Sequence, residues 1–130
     1  MNAGRVLTES GVDTDELRVL IHPIQPEQVS LRSAPRLMMR FWGSGIKAMT
    51  LRRRIFVDPK VLNGDKAKLG LLVIHELVHV RQWHDLGVLG FLGRYLRSYL
   101  RGRRDGLNHR DSYRAIDLEV EAREIQARFR

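Results

Sequence analysis

The chain has 130 residues, of which 43% are apolar and 29% charged, and a formal net charge of +8. That length suits a single domain able to bury about two-thirds of its unfolded surface, and the apolar share predicts a folded globule rather than a disordered chain. The absence of cysteine excludes a disulfide framework and any thiolate-held metal. The basic balance suits nucleic acid or an anionic membrane surface without requiring either.

Residues 1–12, with Gly4, Ser10 and Gly11 and little apolar pattern, read as a loose leader before a domain over 13–130. Residues 1–15 hold no basic stretch followed by an apolar core, and no apolar run in the chain reaches bilayer length, so the cytoplasm is the expected location. Asp13, with Glu16 three residues on, reads as a capping box opening a short helix that ends before Pro23. Residues 22–30, with Pro23 and Pro26, read as a connection. Pro35 opens a second short helix to Trp42, with Leu37, Met38, Phe41 and Trp42 predicted to face inward. Gly43-Ser44-Gly45 breaks that pattern. Residues 46–50 and 54–57 then read as two strands around Leu51-Arg52-Arg53.

A long helix is predicted over 66–85, capped by Asn63 or Asp65, with Gly87 and Gly90 bracketing its end. Another, over 89–101, would turn Leu89, Leu92, Tyr95, Leu96, Tyr99 and Leu100 toward the core. Its arginines, Arg94, Arg97 and Arg101, with Arg103 and Arg104 beyond, would face water. After a polar loop over 102–108, a last helix starts near Asp111 or Asp117 and runs past Ala122 and Ile125 to Phe129. The expected fold class is α+β, mostly α, with a small hairpin or sheet packed on the 66–85 helix and on the C-terminal helices.

Within the long helix stands His75-Glu76-Leu77-Val78-His79. Five histidines and seven glutamates in this chain produce H-E-x-x-H about once in a hundred shuffles. Positions i and i+4 share a helix face, so His75 and His79 can present two imidazoles to one point. The flanks Leu71, Leu72, Val73, Ile74, Leu77, Val78 and Val80 are apolar all round, which predicts a buried helix. Two imidazoles and a carboxylate set there must be paired or bound to metal. A Zn²⁺ ion held by two histidines needs a further protein ligand and keeps one position for water. Glu76, one step round the helix, is then placed to take a proton from that water.

The chain offers several third ligands. Asp85 stands where an extended H-E-x-x-H-x-x-G-x-x-H pattern would end, but that pattern needs a glycine where Gln82 stands. His84 and His109 are further candidates, as is the acidic run Glu119-Val120-Glu121-Ala122 near the C-terminus.

H-E-x-x-H followed by a later helix bearing E-x-E-A resembles the gluzincin branch of zinc peptidases. Over residues 46–125 the chain is similar to small actinobacterial gluzincin-like domains and to minigluzincins. That resemblance implies a single zincin-like domain over 13–130, a Zn²⁺ cofactor, and His75, His79 and Glu119 as its ligands. It further implies that Glu76 serves as general base in peptide-bond hydrolysis. Glu119 is preferred because it stands three residues before the small Ala122, as the family's ligand glutamate commonly does. Glu121, about 200° round the helix from it, is then a partner behind the ligands or a surface charge. The family often carries an acid just after this alanine, where this chain has Arg123, so Asp111, Asp117 or Glu121 is left to orient a ligand histidine.

Tyr113, His109 and Arg114 are the candidates for stabilising the oxyanion. In the family's fold a strand upstream of the motif helix pairs with extended substrate, which implies residues 45–50 or 54–57 here. The implied partner is a peptide or protein substrate, met by a monomer. The alternative is a non-catalytic or latent zinc-binding interaction domain. A nucleic-acid role for the arginines of 52–54 and 94–104 is not expected, since no recognised motif or interleaved aromatic platform accompanies them.

Overall fold

A computed structural model describes residues 1–42 and 45–130. In chain order its elements are α1 (Ala3–Ser10), α2 (Thr14–Leu20), a 3-10 turn (Pro26–Gln28), β1 (Ser30–Ser33), α3 (Arg36–Trp42), β2 (Ala48–Leu51), β3 (Arg54–Val57), α4 (Pro59–Leu62), α5 (Lys66–Arg104), α6 (His109–Arg114) and α7 (Asp117–Ala127). This is a mostly helical α+β fold with one small mixed sheet, as the sequence pattern predicts. The predicted break at Gly43-Ser44-Gly45 falls partly on Gly43 and Ser44, which lie outside the described residues.

α5 organises the rest. Its N-cap is Asp65, whose Oδ1 accepts the Lys68 amide at 3.1 Å and so satisfies one orphan donor of the first turn. Val73, Ile74, Leu77 and Val78 are fully buried, each burial contributing roughly 1.5–3 kcal/mol. At Gly87 the backbone takes φ 72° and ψ 173°, a region open essentially to glycine alone, and the helix breaks. It divides into an inner arm, residues 66–86, and an outer arm, residues 88–104, which match the two helices predicted there.

The sheet runs β1-β3-β2, with β3 parallel to β1 and antiparallel to β2, and Thr50 opposite Ile55. The β2–β3 hairpin is the predicted one. β1 is not predicted: Ser30–Ser33 offers only Leu31 as an apolar residue, too little for a period-two signal. Its pairing with β3 settles its conformation.

The expected loose leader is overturned. Residues 3–10 form α1, with Ala3, Val6 and Leu7 buried in the main core. The Leu31 amide donates to Met1 O at 2.9 Å and the Ala3 amide to Val29 O at 3.0 Å, stitching the N-terminus along the outer edge of β1. α1 also crosses the inner arm so closely that a Cβ on Gly70 would lie 2.4 Å from Ser10 Oγ. Short alternation and scattered glycines hide this contact from the sequence.

Three smaller expectations also change. Asp13 caps α2 through the Asp15 amide at 3.0 Å, while Glu16 turns away to pair with Arg128, so no capping box forms. Leu37 and Phe41 on α3 are exposed, and only Trp42 is buried. The predicted last helix is two: α6 begins at His109, capped by Asn108, and α7 begins at Asp117.

Candidate metal centre

The inner arm sets His75 and His79 one turn apart on one face, their ring centroids 5.0 Å apart. α7 packs across this face through buried Leu118 and Ala122, which carries the Glu119 carboxylate to both rings. Glu119 Oε1 lies 3.1 Å from His75 Nε2, and Oε2 lies 3.1 Å from His79 Nε2. One ligand atom from each residue lies within 4.8 Å of the others, so His75, His79 and Glu119 form a largely buried group that can hold a metal ion.

The bonds behind the rings decide what they present. His79 Nδ1 stands 2.7 Å from Gln82 Oε1, and His75 Nδ1 stands 3.2 Å from Gln126 Oε1. The Gln82 amide is oriented by its Nε2, which donates to Leu118 O at 3.0 Å and to Glu121 Oε1 at 2.8 Å. An amide oxygen only accepts, so these Nδ1 atoms carry the hydrogens and the Nε2 atoms turn toward Glu119. Two nitrogen lone pairs facing a carboxylate require positive charge among them, either a metal ion or a proton. Two imidazoles and one carboxylate are a donor set that divalent metals accept, so the residues fit the group.

The electrostatics follow from that convergence. Burial alone would lower the His79 pKa, but the Glu119 carboxylate, the charge of Glu76 and the Gln82 bond outweigh it and push the pKa up to about 9 in the metal-free protein. Burial likewise works against the Glu119 charge, yet its bonds to His75 and His79 hold this carboxyl well below the usual carboxylate range. The Tyr95 hydroxyl donates to Glu119 Oε2 at 3.0 Å, and burial together with the Glu119 charge raises its pKa. Burial raises Tyr113 as well, helped by Glu119 and Glu76. Both tyrosines therefore stay protonated donors at neutral pH.

Glu76 is buried on the same arm, and its Oε2 accepts the Thr50 hydroxyl at 2.6 Å. Thr50 comes from β2, the outer strand on this side of the sheet. Beside it opens a cleft of about 680 Å³, walled by residues 45–48 ahead of and entering β2 and by His75, Glu76 and Tyr113. The strand expectation narrows accordingly. β3 is central and paired on both sides, so residues 54–57 have no edge to offer, whereas β2 has one.

The other candidates stand apart from this group. Asp85 is exposed and 3.7 Å from Arg81. His84 is exposed and lines a separate cavity with Arg52, Arg53 and Arg54. His109 is exposed and bonded to Tyr99 at 2.7 Å, outside the cleft lining, and Arg114 is also absent from that lining. Glu121 lies behind the centre, bonded to Gln82 and Arg81. Asp117 pairs with Arg94 at 2.9 Å and does not orient a histidine. Arg123 lines the cleft and donates to Arg114 O.

Four site residues escape the sequence reading. Gln82 is legible afterwards as an i+3 neighbour of His79, and Gln126 stands two turns beyond Glu119 on the same face of α7. Thr50 and Tyr95 reach the site only through tertiary packing and leave no local signal. No protein-family model, no curated protein and no solved structure matches the chain. The character of the centre therefore rests on its own geometry.

Proposed function

We propose that the chain is a zinc-dependent peptidase of gluzincin type that hydrolyses bonds in extended peptide or unfolded protein segments, acting as a cytoplasmic monomer. The observation that carries this reading is the position of Glu76. A buried carboxylate beside a two-histidine, one-glutamate group that can hold a metal ion, opening onto a cleft with a strand edge, supports a role in proton transfer. Nitrogen and oxygen donors from three protein ligands suit Zn²⁺. When bound, Zn²⁺ supplies a Lewis acid and brings the pKa of water toward neutrality.

The chain's own groups then divide the work. Thr50 Oγ1 holds Glu76 Oε2, leaving Oε1 to accept the water's proton and return it to the leaving amine. Gln82 and Gln126 fix the ring orientations. Tyr113, a protonated hydroxyl lining the cleft, donates to the developing oxyanion in place of His109, which is not in that lining. The free edge of β2 aligns the substrate backbone by strand addition.

The test is Glu76→Gln, with zinc content by elemental analysis beside cleavage of a broad panel of unstructured peptides. Zinc should be retained while hydrolysis falls by about 10²–10⁴-fold. Undiminished cleavage in the variant removes Glu76 from the chemistry. A zinc-loaded wild type that cleaves nothing in the panel leaves a zinc-binding interaction domain instead.

A further inference from the structure

The outer arm of α5 carries an apolar surface that the metal centre does not use. Leu89, Leu92, Leu96 and Leu100 are 86%, 50%, 56% and 54% exposed. At about 100° per residue they fall within roughly 80° of arc, a single continuous row. Next to it Arg97, Arg101 and Arg104 line a groove of about 510 Å³ together with Gly93, Leu96 and Leu100. The third face of the arm is spent inward: Phe91 stacks on Trp83 at 4.1 Å, and Tyr95 reaches Glu119.

Charge on this arm is one-signed. No aspartate or glutamate occurs between Gly87 and Arg104. Of its five arginines, Arg94 pairs with Asp117, and among the described residues no carboxylate pairs with Arg97, Arg101, Arg103 or Arg104. The surface continues past the kink. Val88 lines a second cavity, of about 630 Å³, with Leu51 and the three arginines of the β2–β3 turn, Arg52, Arg53 and Arg54.

We propose that the outer arm, continued by the β2–β3 turn, is a docking surface for an anionic lipid bilayer. A leucine row beside an arginine row is the arrangement of a helix lying in the membrane interface. The leucines enter the acyl boundary while guanidinium groups bond headgroup phosphates. Each cation near such a surface adds attraction within about a Debye length. Nucleic acid would satisfy the arginines but leave four leucines in water. A second copy of the chain would cover the leucines while bringing two sets of unpaired arginines together. Only the bilayer answers both rows, and the contact lies at the interface without any span, in keeping with the lack of a described helix long and apolar enough to cross.

The experiment is co-sedimentation of the full chain with vesicles of phosphatidylcholine alone or mixed with phosphatidylglycerol. Binding to the anionic vesicles should exceed binding to the neutral ones by about tenfold or more. The double variants Leu89→Ser with Leu96→Ser, and Arg97→Glu with Arg101→Glu, should each lower it about tenfold, with far-UV circular dichroism and Tm unchanged. Wild-type protein that stays in solution with anionic vesicles overturns the proposal. So does binding that the leucine variant leaves intact, which marks a purely electrostatic contact such as nucleic acid would share. Lipid-independent dimers that the leucine variant dissociates assign the row to a second copy.

Discussion

Before Gly87, α5 buries Leu69, Val73, Ile74, Leu77, Val78 and Val80; beyond it, the same helix leaves Leu89, Leu92, Leu96 and Leu100 in water. Both stretches carry leucine and valine at helical spacing, and both read as core-facing in the sequence. What separates them is company. The inner arm lies against α1, α7 and the sheet, whereas the outer arm turns Phe91, Tyr95 and Tyr99 toward α6 and the start of α7. Periodicity tells which residues share a face, but not whether the chain supplies something to cover it.

Substituting one leucine in each arm tests that contrast most severely. Leu77→Ala should cost about 2–5 kcal/mol in denaturant unfolding, since a fully buried side chain leaves a cavity. Leu89→Ala should stay within about 0.5 kcal/mol of wild type. Similar losses at the two positions would mean that the outer row is covered in solution.

The charge at the end of the inner arm should appear as a pH dependence of the metal-free protein. His79 is raised from 6.5 to about 9 in the folded state, chiefly by Glu119 acting against burial. Its contribution is therefore complete below pH 6.5 and disappears as pH rises through 9, a loss on the order of 3 kcal/mol. Glu119, held low, adds the opposite limb, with stability lost as pH falls below the usual carboxylate range. Thermal melts after chelation should show a Tm maximum in mildly acidic solution, and zinc should flatten the alkaline limb by displacing the proton. A Tm flat from pH 6.5 to 9 in the chelated protein contradicts the His79–Glu119 pairing.

The smallest expected effect concerns the support behind the ligands. Gln82→Ala removes the acceptor for His79 Nδ1 and should weaken zinc binding about 10–100-fold in competition with a chromophoric chelator. Wild-type affinity in that variant would show that packing alone orients the ring.

Half of this centre is legible from a local rule, since His75 and His79 are one helical turn apart. Glu119 is singled out among several candidates only by the family resemblance, and the fold then brings it to both rings. The hairpin and both arms of α5 follow from alternation, helical spacing and one glycine. Illegible are the contacts that cross the fold. Thr50 reaches Glu76 over 26 residues, Tyr95 meets Glu119 because the kink turns the outer arm back, and α1 is held by a sheet edge that its own sequence does not announce. Gln82 is instructive in another way. It occupies the place where an extended zinc motif would need glycine, and there its amide oxygen accepts from His79 Nδ1.

The stitched N-terminus carries one more consequence. Met1 and Ala3 occupy part of the far side of β1, while the outer margin of β2 stays unpaired among the described residues, on the side of the sheet that meets Glu76. A sheet obstructed on one side offers its backbone groups chiefly on the other, so an added strand would be directed there. The N-terminal segment that helps seal the core thus also biases any strand addition toward the side of the sheet on which Glu76 lies.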